Sequence, residues 1–183
     1  MKKSIGMAVL VASVFVAPSA MAQKGMWEMS VAGNIEDSTT TVAGASTTTT
    51  NTFINVDVGR YFTSKLVGRV SVSMFGTEGG GSKSIGTGVG AGVKYYFGEA
   101  AKAQWVPFVN GGLNVVQQES TAAGTTTTYT GVGVVGGGGV SYFITEEVSG
   151  DISGQYFNNT MSGGGVDLDQ DGFRLLFGLT ARY

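Results

Sequence analysis

The sequence predicts an all-β fold, and three observations carry that expectation. Glycine supplies 31 of the 183 residues, and because each glycine in a helix interior costs about 1 kcal/mol relative to alanine, long helices are disfavoured. Aliphatic and aromatic residues recur at every second position in segment after segment, which is the period of a strand with one apolar face. The net charge of −2 is small and apolar residues are spread throughout, so the composition is not that of a disordered chain.

Residues 1–22 are set apart before the strands begin. Lys2 and Lys3 precede an apolar stretch from Ile5 to Val16, Pro18 breaks it, and Ala20-Met21-Ala22 supplies small residues at a cleavage site. This reads as a secretory signal peptide, since the stretch is shorter than the roughly 20 residues that span hydrocarbon. The mature chain is read as one domain over residues 23–183.

Eight strands are predicted in that domain. The first, 26–35, alternates Trp27 and Met29 with Glu28; the second, 52–62, sets Ile54, Val56 and Val58 against Asp57; the third, 66–75, sets Val70 and Met74 against Arg69. The fourth, 85–97, carries Ile85, Val89, Val93, Tyr95 and Phe97 on one face and Gly86, Gly88, Gly90, Gly92, Lys94 and Tyr96 on the other. The fifth, 105–117, has Trp105, Val109 and Leu113 on its apolar face, and the sixth spans 129–143. The seventh, 148–157, places Ile152 opposite Asp151 in parity. In the eighth, 172–183, Phe173, Leu175, Phe177, Leu179, Ala181 and Tyr183 alternate with Arg174, Leu176, Gly178, Thr180 and Arg182.

The connections alternate in length: 36–51 is long, 63–65 short, 76–84 long, 98–104 shorter, 118–128 long, 144–147 short and 158–171 long. An antiparallel up-and-down barrel whose strand ends face two compartments produces that pattern, with short turns on one side and four longer loops on the other. Eight tilted strands of about ten residues also match a bilayer. A soluble lipocalin-type barrel would turn its apolar face inward, whereas a membrane barrel turns it outward and encloses polar groups. The apolar faces carry the large residues, while Glu28, Asp57, Arg69, Lys94, Asp151, Arg174 and Arg182 share the other face. A transmembrane barrel with a charged lumen network is therefore expected, the charges pairing across a narrow interior that they plug.

Aromatic residues reinforce this. Trp27, Phe62, Phe97, Trp105, Tyr142 and Tyr183 all fall at the short-turn ends of their strands, as an interfacial girdle requires. Arg60 shares the outward parity of Val56 and Val58, so it must snorkel to the headgroups or follow a bulge. Gly86, Gly88, Gly90 and Gly92 are read as making room for long lumen side chains from other strands.

Several function classes are set aside. With no cysteine and no histidine, the chain lacks disulfides, a thiolate nucleophile and the commonest general base. Its 11 basic residues form no clustered stripe for nucleic acid. Gly131-Val-Gly-Val-Val-Gly136 has the letters of a dinucleotide fingerprint but opens no helix. Asp167, Asp169 and Asp171 with Gly172 match the start of a calcium loop, yet Gly178 occupies the position that needs a bidentate glutamate; no metal and no cofactor is expected. The runs Thr39 to Thr41, Thr47 to Thr50 and Thr125 to Thr128 are read as solvated loop, with extended ribbon as the other reading.

The whole mature chain resembles the small eight-stranded outer-membrane β-barrel family of Gram-negative bacteria, the OmpA/OmpX-like group. The final strand, Phe173-Arg-Leu-Leu-Phe-Gly-Leu-Thr-Ala-Arg-Tyr183, looks like that family's C-terminal assembly signal. The resemblance implies insertion by the outer-membrane assembly machinery, contact with membrane lipid and lipopolysaccharide, and periplasmic termini with loops at the cell surface. Enzymes among such barrels use a histidine that this chain lacks, and wide aqueous porins use about 16 to 18 strands. The expected role is structural or surface-interacting, with a host or surface partner at the long loops. A soluble periplasmic ligand-binding barrel and a narrow gated pore are the competing readings.

Overall fold

The computed structural model describes residues 25–42, 45–99 and 104–183, which form strands and turns without a helix. The expected signal peptide lies outside the described residues. Eight strands follow in order: β1 (Trp27–Val42), β2 (Ala45–Tyr61), β3 (Leu66–Gly79), β4 (Ser82–Tyr96), β5 (Trp105–Ala122), β6 (Thr125–Phe143), β7 (Val148–Gly163) and β8 (Val166–Arg182). Each pairs antiparallel with its sequence neighbours and β8 returns to β1, closing a barrel.

Period-two patterning decides which way each side chain faces. Val70, Val72, Met74, Val89, Leu113, Val132, Phe177 and Leu179 are all more than half exposed on the outside. An apolar belt of this extent is unstable in water and suits lipid. Along β8 and the residue after it, Phe173, Leu175, Phe177, Leu179 and Tyr183 face outward; the ten residue steps they span, at about 3.4 Å each and tilted by about 40°, give a height near 26 Å, the thickness a membrane barrel needs.

The register is unbroken along every ladder. β1 and β2, for example, pair residue for residue from Trp27↔Arg60 to Val42↔Ala45. Arg60 therefore follows no bulge. It stays on the outward face, with its guanidinium carbon 5.9 Å from the ring centroid of Trp27, so the charge lies against an aromatic at the barrel end while its stem crosses apolar surface.

At one end the strands are longer than their patterning predicted. The segments expected as four long loops continue the ladders as β-ribbons, and three of them close in two-residue turns at Gly80-Gly81, Ala123-Gly124 and Gly164-Gly165. Both central residues of each turn have positive φ: 59° and 80°, 50° and 80°, 60° and 79°. Turns of that hand match the twist of paired strands, which is why glycine occupies five of the six positions. β-branched threonine favours the extended backbone that leads into them. The Thr121 and Thr126 hydroxyls meet across one ribbon at 2.8 Å, and Ser162 Oγ donates to Asp167 Oδ1 at 2.8 Å across another.

The opposite end has the short turns expected. Thr63 Oγ1 accepts from the amides of Lys65 and Leu66, and Thr145 Oγ1 accepts from those of Glu147 and Val148, so each turn satisfies its own backbone donors.

The closing seam is short. β1 pairs with β8 only from Glu28↔Arg182 to Gly33↔Phe177, whereas β7 pairs with β8 from Val148↔Ala181 to Gly163↔Val166. Backbone bonds between Trp27 and Tyr183, 2.8 and 3.0 Å, lock its lower end. Among the described residues no ladder joins β1 to β8 beyond Gly33, so the wall is closed around its lower part and parted between these two strands above it.

Candidate functional site

The inward parity of the eight strands brings charges into the lumen at three levels. Nearest the short turns, β1 supplies Glu28, β4 supplies Lys94 and β8 supplies Arg182, each with no more than 3% of its surface exposed. Glu28 is the hub. Its Oε1 lies 3.6 Å from Lys94 Nζ, and its Oε2 lies 3.4 Å from Arg182 Nε while accepting the hydroxyls of Tyr61 at 2.7 Å and Tyr96 at 2.9 Å. Lys94 also reaches Asp151 Oδ2 at 3.4 Å, and Asp151 accepts from Ser149 and Thr180.

An aromatic floor holds these groups. Tyr61, Val67, Tyr96, Val106, Phe108 and Phe143 form one buried cluster at the short-turn end. Lys94 Nζ lies 4.3 Å from the Phe108 centroid, and the Arg182 guanidinium carbon 4.2 Å from that of Phe143 and 4.7 Å from that of Tyr96. A cation in a low-dielectric interior needs both an anion and π-faces to replace water, and here it has both.

Higher up, Asp57 accepts from Asn55 Nδ2 at 2.7 Å and pairs with Arg69 Nη1 at 3.4 Å. Six of the seven predicted lumen charges are thus paired. Arg174 is not among them. Its Nε and Nη2 donate to Gln155 Oε1, and its guanidinium carbon stands 3.5 Å from the Phe53 centroid and 4.9 Å from that of Phe157. Beside it lies a cavity of 240 Å³ in the hairpin-side half of the lumen, lined among others by Phe53, Phe75, Val116, Phe157 and Arg174.

The lumen is therefore less polar than expected, because Phe53, Tyr61, Phe75, Tyr96, Phe108, Phe143 and Phe157 all share inward parity with the charges. The signal was legible for Tyr96, which follows Lys94 by two, and for Tyr61, which follows Asp57 by four. The glycines of β4 also have a more local cause. A Cβ on Gly86 would clash with the Phe75 ring, one on Gly88 would meet the Ser73 hydroxyl at 2.6 Å, and one on Gly92 would clash with the Gly111 carbonyl. Room is needed for a ring, a hydroxyl and neighbouring backbone.

Trp27, Phe62, Phe97, Trp105, Tyr142 and Tyr183 all face outward at the short-turn end, exposed by between 37% and 61%. Trp105 and Tyr142 are cross-strand partners with centroids 4.8 Å apart. Asp167, Asp169 and Asp171 sit in line on the outward face of β8 rather than around a loop, and Asp171 accepts from Tyr156 at 3.3 Å. A straight strand cannot wrap three carboxylates around one ion, and no group of three metal-ligating side chains occurs among the described residues.

A closed antiparallel barrel with an apolar exterior, aromatic end and charged interior defines an integral membrane barrel. The outer membrane protein beta-barrel domain matches residues 7–180, and the chain belongs to that family. No characterised protein sequence matches it at a significant level. Among solved structures, neisserial surface protein A is similar at 18% identity and a TM-score of 0.63, with 87% of this chain and 98% of that chain covered. The N-terminal barrel of Pseudomonas aeruginosa OprF gives 14% and 0.60 over 87% and 98%, and the attachment invasion locus protein Ail of Yersinia pestis 12% and 0.50 over 88% and 100%. The protein resides in the outer membrane, in contact with its lipid.

Proposed function

We propose that the protein is a non-enzymatic outer-membrane barrel that seals its own lumen and meets surface partners through its hairpin-end ribbons. The observation that carries the seal is the Glu28 hub, which joins β1, β2, β4 and β8 across the interior at the level of the Tyr61, Tyr96, Phe108 and Phe143 floor. Crossed ion pairs backed by rings support this seal, because a hydrated ion would have to displace paired charges and aromatic side chains to pass. The surface role rests on the ribbons, whose paired backbones carry the threonine runs beyond the apolar belt. Among the similar folds, Ail is named for attachment and invasion.

The same reading makes the outward aromatics an interfacial girdle at the periplasmic side, residues 1–22 a cleaved leader, and β8 the segment that the assembly machinery recognises. Its test is excision of residues 38–50 and 120–128, each replaced by a two-residue turn, followed by adhesion of expressing cells to host cells and matrix. The excised protein should reach the outer membrane at normal levels and lose adhesion; full adhesion by the excised protein contradicts the surface role.

A further inference from the structure

Among the described side chains the lumen charges do not balance, and the excess lies at Arg174. Glu28, Lys94, Asp151 and Arg182 are two negative against two positive and are mutually paired. Asp57 and Arg69 cancel. Arg174 remains, with no carboxylate within ion-pair distance among the described residues and no protein hydrogen bond on Nη1. It is nonetheless fixed in place, since Gln155 holds one edge of the guanidinium and Phe53 and Phe157 flank it. A cation held in place with no described counter-charge directs its field into the adjoining cavity. That cavity is the one of 240 Å³, whose other walls include the rings of Phe53, Phe75 and Phe157 and the side chain of Val116.

We infer that this cavity is a binding site for a small amphipathic monocarboxylate, whose anion bonds the free edge of Arg174 while its apolar body packs among Phe53, Phe75, Phe157 and Val116. The planar guanidinium suits a carboxylate because it offers parallel donors, and the rings explain why a bare inorganic anion would leave most of the site unfilled. Below the site, two smaller cavities lined by Asp57, Arg69 and Gln155 continue toward Lys94 and Phe108, so the ligand lies above the aromatic floor. This inference goes beyond the surface-contact reading and stands whether or not the ribbons bind a partner.

The test uses the barrel folded in lipid nanodiscs and titrated with 4-phenylbutyrate, with 4-phenyl-1-butanol as its uncharged counterpart. Calorimetry should show saturable one-to-one binding of the acid, at least tenfold tighter than the alcohol, or about 1.4 kcal/mol. The Arg174 Nε–Hε resonance of ¹⁵N-labelled protein should move with the acid alone. Arg174→Gln should weaken the acid at least tenfold and leave the alcohol unchanged, with Arg174→Lys intermediate. Should Arg174→Gln fail to fold, the acid-to-alcohol comparison and the Arg174 resonance in wild type still decide. Equal affinities for acid and alcohol, an unmoved Arg174 resonance, or the absence of saturable binding at millimolar concentrations would overturn the site. In nanodiscs doped with oleate, competition assigns loading from the membrane and its absence assigns loading from the aqueous side; each is expected only if the carboxylate site exists.

Discussion

Replacing Glu28 by alanine removes the one carboxylate on which two cations and two phenols converge. Lys94 keeps Asp151 as a partner. Among the described residues Arg182 keeps none, because its ion-pair partner there is Glu28, and its Nη1 already lacks a hydrogen bond. Stranding one member of a buried pair costs about 3–5 kcal/mol. Each orphaned phenol adds a desolvation cost of about 1–3 kcal/mol, though costs within one network do not add in full. A net loss of about 4 kcal/mol is therefore expected. With a urea slope of about 2 kcal/mol per molar, the midpoint falls by about 2 M. The assay is urea unfolding of the lipid-reconstituted barrel followed by tryptophan fluorescence, since Trp27 and Trp105 both sit on the outer wall near this end. Pairing Glu28→Ala with Arg182→Ala should recover a large part of the loss, because the double variant strands no arginine. A single-variant shift below about 0.5 M, or simple additivity in the double variant, refutes the reasoning that these charges depend on one another.

Three further outcomes follow from other parts of the barrel. Deleting residues 177–183 removes every β8 residue that pairs with β1, together with the Trp27–Tyr183 bonds, so the wall cannot close in lipid and the protein should vanish from outer-membrane fractions on immunoblots. Gly86→Ala should drive the Phe75 ring from its position and cost about 1–3 kcal/mol in urea unfolding, with strand content by circular dichroism unchanged. Asp57→Ala leaves Arg69 without its ion-pair partner, and should cost about 3 kcal/mol, lowering the urea midpoint by about 1.5 M.

Much of this architecture was legible because a barrel wall imposes period two and lumen charge leaves a clear parity signal. Glu28, Asp57, Arg69, Lys94, Asp151, Arg174 and Arg182 all carry that signal, as do the outward aromatics. Strand length was harder to read, since threonine-rich, alternating polar segments look alike whether paired or solvated. The sign that separated them was glycine at 80–81 and 164–165, whose positive φ closes a two-residue hairpin. Which cation pairs with which anion depends on strand order and stagger, so the isolation of Arg174 and the centrality of Glu28 emerge only from the closed register. Of the inward aromatics, Phe108 and Phe143 were the hardest to place, because β5 and β6 carry no lumen charge to mark their inward face.

Whether ion pairs and rings seal the lumen at the short-turn end is read out by planar-bilayer recording of the purified wild-type barrel. The sealed lumen predicts a silent membrane, with steady current arising only in a variant that removes both the hub and a floor ring, such as Glu28→Ala with Tyr96→Ala. Discrete, steady conductance steps from the wild type, altered by Glu28→Ala alone, would contradict the seal and make switching of these ion pairs the gate of a pore.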